Sequence, residues 1–148
     1  MTGQEQYAFR SVLLIDDSEI DVLVNRRLME LTTFAKEVYK AGSAEEALQF
    51  LREECNSEAL APDWIFLDFY LPGMSGHEFL EAFASLPEAI VHKTRIIILS
   101  VFQKPELRQK MLEFPWVFGQ LDKPLTQDAL HALSDQKITV PASGKKEY

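Results

Sequence analysis

Short apolar runs alternate along this chain with segments whose apolar residues recur every three or four positions. The runs are Val12-Leu13-Leu14-Ile15, Trp64-Ile65-Phe66-Leu67 and Ile96-Ile97-Ile98-Leu99. Four consecutive apolar residues bounded by polar ones are too short for a helix and read as buried strands. Weaker strand patterns lie at Glu37 to Lys40 and at Val117 to Leu121, and Arg95 opens the isoleucine run. Between them, Ile20, Leu23, Val24, Leu28 and Leu31 recur at helical spacing, which predicts a helix from Ser18 to about Phe34. Ser43 and Glu46 have capping-box spacing ahead of Ala47, Leu48 and Leu51, predicting a helix to about Glu54. Further helices are predicted from His77 to Leu86, from Pro105 to about Glu113 and from Thr126 to about Leu133. Phe79, Leu80, Phe83, Leu130 and Leu133 are their inward positions.

Strand and helix thus alternate five times. Wholly apolar strands joined by helices belong to a parallel sheet covered on both faces. Open sheets of this kind bind ligands outside the carboxyl ends of their strands. The residues that close the runs matter for that reason. Asp16 and Asp17 close the first, Asp68 the second and Ser100 the third, and Lys123-Pro124 follows the last strand. Three acids, a hydroxyl and a lysine would then meet at one sheet edge. Clustered carboxylates repel one another unless a cation balances them. Magnesium, which takes one or two carboxylates and keeps positions for phosphate oxygens, is the natural balance. A carboxylate can also attack phosphorus to give an acyl phosphate, with a lysine neutralising charge on the transferred group.

Composition narrows the setting. The chain has 148 residues, a fitting length for one domain, and 47% of them are hydrophobic. Cys55 is the single cysteine, so no intrachain disulfide can form, and it argues against a cysteine-based metal site. The net charge of −8 argues against direct binding to DNA or to anionic membranes. No signal peptide or long apolar span is visible, so a cytoplasmic location is expected. The expected organisation is a short leader at 1–10, one domain at 11–134 and a flexible tail at 135–148.

The segments Leu13-Leu14-Ile15-Asp16-Asp17-Ser18, Leu67-Asp68-Phe69-Tyr70-Leu71-Pro72-Gly73-Met74-Ser75-Gly76, Ile98-Leu99-Ser100 and Asp122-Lys123-Pro124 resemble the receiver domain of two-component response regulators, the CheY-like superfamily. The resemblance covers about Ser11 to Leu133. It implies a flavodoxin-like (βα)5 fold, a doubly wound five-stranded parallel sheet of order 2-1-3-4-5. Asp68 would accept a phosphoryl group from a phosphohistidine donor, on a sensor histidine kinase or a histidine phosphotransfer protein. Asp16, Asp17, Asp68 and the Tyr70 backbone carbonyl would hold Mg2+ (or Mn2+), directly or through water. Ser100 and Lys123 would contact the phosphoryl group, and the Lys123-Pro124 peptide would be a candidate for the cis form. Such a domain is not an enzyme in its own right but a phosphoacceptor that assists its own phosphotransfer and dephosphorylation.

The chain departs from that family at Gln120, where an aromatic switch residue is usual, and at Val101 and Phe102, which are bulky beside the site. The resemblance favours a stand-alone receiver that signals through protein contacts to an unidentified output partner, at the surface of the helices flanking the last strand. A phosphate sink or relay intermediate, and a pseudo-receiver that binds without phosphate, are the alternatives; a homodimer is left open. A haloacid-dehalogenase-like hydrolase would carry a second aspartate where Tyr70 stands. His77, His92 and His131 lack metal-ligand spacing, Lys104, Arg108 and Lys110 read as a solvated helix face, Trp64 and Trp116 as packing, and Lys145-Lys146 is too short for a nucleic-acid patch.

Overall fold

A computed structural model describes residues 6–100 and 104–135; Val101, Phe102, Lys145-Lys146 and the expected tail beyond Asp135 lie outside the described residues. Strands β1 (Phe9–Ile15), β2 (Ala35–Ala41), β3 (Trp64–Asp68), β4 (Arg95–Leu99) and β5 (Val117–Leu121) form one sheet of order β2-β1-β3-β4-β5. Every pairing is parallel. Helices α1 (Glu19–Leu31), α2 (Ala44–Glu54), α3 (Gly76–Phe83), α4 (Glu88–Lys93), α5 (Pro105–Leu112) and α6 (Gln127–Ser134) connect and follow the strands. This is the flavodoxin-like fold expected from the sequence.

Alternation along the strands divides the core in two. Leu13, Ile15, Ile65, Leu67, Ile96 and Ile98 point to the face covered by α2, α3, α4 and α5. Val12, Leu14, Trp64, Phe66, Ile97 and Leu99 point to the face covered by α1 and α6. β3 lies between β1 and β4 and is buried at all five positions, so Asp68 ends the most enclosed strand.

Several element ends differ from expectation. β1 begins at Phe9, so Phe9 and Arg10 belong to the strand and not to a leader. Phe9 packs on Phe34 and Trp64 at ring separations of 5.1 and 5.7 Å, and the Asp63 carboxylate accepts from the Arg10 and Ser11 N–H groups. Those contacts lie more than twenty residues away in sequence and leave no local pattern. α1 stops at Leu31, and Thr33 then takes a left-handed conformation, φ 47°, that returns the chain to β2. α4 has no counterpart in the expected elements. It spans six residues behind Pro87 and buries only Ile90, too little apolar periodicity to register.

Of the stripe that announced α1, only Leu28 packs against the core. Ile20, Leu23, Val24 and Leu31 are exposed, at 56–73%, and the helix is held by the buried Val22 and Met29 with Leu28 beside them. α2 and α3 behave as their patterns suggest: Ala47, Leu48 and Leu51, and Phe79, Leu80 and Phe83, are buried. Ser43 caps α2 by accepting from the Glu46 N–H, but the Glu46 carboxylate reaches the Gly42 N–H, so the box expected there is only half formed. The complete box closes on α3, between Ser75 and Glu78.

Candidate functional site

The strand register carries the closing residues to a common edge. Ile15 pairs with Leu67 and Asp68 with Leu99, so Asp16, Asp68 and Ser100 leave the sheet side by side. Asp16 and Asp68 are 6% and 5% exposed, and Asp17 is exposed. One carboxylate oxygen from each of Asp16, Asp17 and Asp68 lies within 4.8 Å of the others. Lys123 reaches in from the turn after β5, its Nζ 3.1 Å from Asp68 Oδ1. The Tyr70 N–H donates to that same oxygen at 3.2 Å. Both contacts fall on Oδ1 and neither on Oδ2.

Asp16 is fixed by the Ser18 N–H, which donates to Oδ1 at 2.8 Å. Its Oδ2 is buried with no hydrogen-bond partner among the described residues. Burial pushes the Asp16 carboxyl above its ordinary range; the Ser18 bond opposes this, the Asp68 charge adds to it and the Lys123 charge relieves it. An orphaned, buried carboxylate oxygen beside two further acids fits a hard divalent cation. Ser100 Oγ is likewise buried without a partner among the described residues.

The loop after β3 is held by close backbone approach. A Cβ at Gly76 would meet Phe69 Cδ1 at 2.7 Å and Phe69 O at 2.8 Å, so only glycine fits. Gly73 takes φ 74°, a conformation with little cost for glycine. The Glu45 carboxylate accepts from the Met74 N–H at 3.4 Å, tying that loop to α2. Clefts open on both sides of the acids. One, of about 230 Å³, is lined by Asp16, Asp17, Glu19, Lys40 and Glu46 among others. The other, of about 130 Å³, lies between α1 and the β5–α6 turn and is lined by Asp21, Val24, Asn25, Lys123 and Pro124 among others. The Lys123-Pro124 peptide is cis.

The structure therefore brings together Asp16, Asp17, Asp68, Ser100 and Lys123, with the Tyr70 backbone at the start of the adjoining loop. Gln120 stands in β5 behind Ser100 and donates to its backbone carbonyl. Arg108 is exposed, as its expected solvated face requires, and it also donates from Nε to Gln120 Oε1 at 3.1 Å. That contact had no sequence signal, because it depends on how α5 lies against β5. His77, His92 and His131 are not among the acids: they lie on α3, α4 and α6.

A family model described as the response regulator receiver domain matches residues 12–135. Among curated proteins, a two-component response regulator of rice, ORR1, is 31% identical over 99 residues, which cover 64% of this chain and 41% of that protein. The match thus takes in about two fifths of the relative's length. Among solved structures, a two-component response regulator from Cytophaga hutchinsonii is 28% identical with a TM-score of 0.80, covering 88% of this chain and 97% of the other. A response regulator receiver protein from Dyadobacter fermentans is 25% identical with a TM-score of 0.75, covering 88% and 99%. The Vibrio cholerae chemotaxis protein CheY4, at 23% identity and TM-score 0.67 over 88% and 99% of the two chains, shares the fold. Among the described residues no helix is long and apolar enough to cross a membrane.

Proposed function

This chain belongs to the receiver-domain family of two-component response regulators, and from that premise we propose that Asp68 accepts a phosphoryl group from a phosphohistidine donor at a Mg2+ site. The observation that carries the reading is the cluster of Asp16, Asp17 and Asp68 with Lys123 bonded to Asp68. Asp16, Asp17, Asp68 and the Tyr70 carbonyl would hold the cation. When bound, the ion neutralises charge on the phosphoryl oxygens and on the acids themselves.

The remaining chemistry belongs to the chain. Tyr70 N–H and Lys123 Nζ both engage Asp68 Oδ1, which sets the carboxylate plane and leaves Oδ2 as the attacking oxygen. Attack on phosphorus forms the Oδ2–P bond while the P–N bond to the donor imidazole breaks. Its electron pair returns to the imidazole nitrogen. Lys123 then pairs with a phosphoryl oxygen in place of the carboxylate. The Ser100 hydroxyl, buried without a partner among the described residues, has its donor available to a second phosphoryl oxygen.

A protein donor needs a surface beside this site. The exposed apolar face of α1, formed by Ile20, Leu23 and Val24, runs directly from the acid edge and fits a helical donor presenting its histidine. The phosphotransfer would take place in the cytoplasm, with the signal leaving by protein contact at α5, β5 and α6. A phosphate-independent binding module is the second reading, favoured by Gln120 in place of an aromatic switch. Intact mass after incubation with Mg2+ and acetyl phosphate separates them. One phosphoryl group on the wild type and none on Asp68→Asn is expected; no adduct, under conditions that label a control receiver, favours the binding module.

A further inference from the structure

The strands that flank the site carry a polar connection whose consequence reaches α5. β5 has one irregularity: Ile96 pairs with Val117 but Ile97 pairs with Gly119, leaving Phe118 as an extra residue. After this bulge Gln120 pairs with Ile98, a residue of the face that α5 covers. In unbroken register it would pair with Leu99 and turn to the other face. The bulge thus aims the Gln120 amide at α5.

The amide makes three bonds there. Nε2 donates to the Ser100 carbonyl and, at 2.8 Å, to Asp122 Oδ1, while Oε1 accepts from Arg108 Nε at 3.1 Å. Exchanging the amide oxygen and nitrogen would oppose two acceptors to an acceptor and a guanidinium to a donor, so the partners dictate the orientation. One of these bonds falls on a site residue, at the Ser100 backbone carbonyl, and a second on the neighbour of another. Ser100 is the residue whose buried hydroxyl lacks a partner among the described residues, and Asp122 precedes Lys123 in sequence. The third bond ends on a helix with modest packing: α5 fully buries only Met111 and has no side-chain cap at its start. Losing one hydrogen bond therefore matters more for α5 than for a deeply packed helix.

We propose that the Arg108–Gln120–Ser100 clasp couples phosphorylation of Asp68 to the attachment of α5, with Gln120 as the positioning residue. The proposal rests on the reading of Asp68 as phosphoacceptor and adds the route by which that event reaches the surface. A phosphoryl group on Asp68 gives Ser100 Oγ an acceptor. Forming that bond draws Ser100 towards β3 and takes its carbonyl away from Gln120 Nε2. The amide is then held on its nitrogen side by Asp122 alone, Arg108 loses its fixed acceptor, and α5 loosens with its exposed guanidinium freed for a partner.

Hydrogen–deuterium exchange over 105–112 in the full chain tests this, with intact mass recorded on each sample. The expected result is exchange about ten-fold faster in wild type once Asp68 carries phosphate. Unphosphorylated Arg108→Ala and Gln120→Ala should exchange at that faster rate already, and phosphorylation should change them less than about two-fold. Gln120→Glu keeps an acceptor for Arg108 but loses both donors, so it should also lose the phosphate response. Arg108 is exposed, so Arg108→Ala stands in for the Gln120 variants if they do not fold. An adduct on Asp68 with unchanged α5 exchange in wild type overturns the coupling alone. Variants that exchange like wild type before phosphorylation and respond like it afterwards overturn it equally. Absence of any adduct overturns the Asp68 reading and the coupling with it.

Discussion

α1 and α3 both carry apolar residues at helical spacing, and they use them in opposite ways. α3 has eight residues and buries four of them, Gly76, Phe79, Leu80 and Phe83. α1 has thirteen residues and buries two, Val22 and Met29, while Ile20, Leu23, Val24 and Leu31 remain in solvent. The difference follows from what each helix must hold. α3 anchors the loop that leaves Asp68, through the Gly76–Phe69 approach and the Ser75–Glu78 box. α1 starts at the acids, with Ser18 both capping the helix and orienting Asp16, and its outward face borders the site. Apolar periodicity thus identifies a helix but does not say whether its apolar face meets the core or a partner.

Truncation separates the two helices most sharply. Phe79→Ala should cost about 3–5 kcal/mol, because a fully buried ring leaves a cavity. Urea denaturation measures this, and a loss near zero would mean that α3 is not anchored as described.

Cation binding at the start of α1 comes next. Mg2+ at about 100 times its Kd should raise stability by about 2.7 kcal/mol. Asp17→Ala, at an exposed position, should fold normally and lose that gain. Thermal melts with Mg2+ and with chelator read both.

Leu23→Glu should change stability by no more than about 0.5 kcal/mol, since the residue is exposed. It should nevertheless slow transfer from a phosphohistidine protein about ten-fold and leave labelling by acetyl phosphate unchanged. Equal slowing with both donors would place the defect in the site and not in docking.

The smallest effect is electrostatic. Burial holds the Asp16 carboxyl above its unfolded value of 3.8. Between that value and the raised one, the folded state keeps a proton that the unfolded state has released. Stability in chelator therefore falls as pH rises through this window and levels off above it. Asp16→Asn keeps an acceptor for the Ser18 N–H, removes that slope and should be the more stable protein at neutral pH without cation. Denaturant midpoints from about pH 4 to pH 7 show the sign.

Much of this molecule was legible in its apolar runs. Uninterrupted four-residue runs marked β1, β3 and β4, because strands buried on both faces need no alternation. The polar residues closing those runs, with Lys123, are the ones that meet at the edge. What escaped depends on distant contacts. Phe9 joins β1 through Phe34 and Trp64, and α4 rests on one buried isoleucine. The outward turn of α1 was hidden because Val22 and Met29, seven residues apart, carry its packing with Leu28, while Ile20, Leu23, Val24 and Leu31 do not. Gln120 was visible as a departure, but its bond to Arg108 depends on the bulge at Phe118, which no local pattern encodes.

The central claim is that Asp68 forms an acyl phosphate with the help of a cation at Asp16 and Asp17. Borohydride reduction after acetyl phosphate treatment converts an aspartyl phosphate to homoserine, and peptide mass mapping then places it. The account predicts homoserine at position 68 with Mg2+ present and its loss in chelator or in Asp17→Ala. Homoserine at another aspartate, or at 68 in equal amount without a divalent cation, would contradict it.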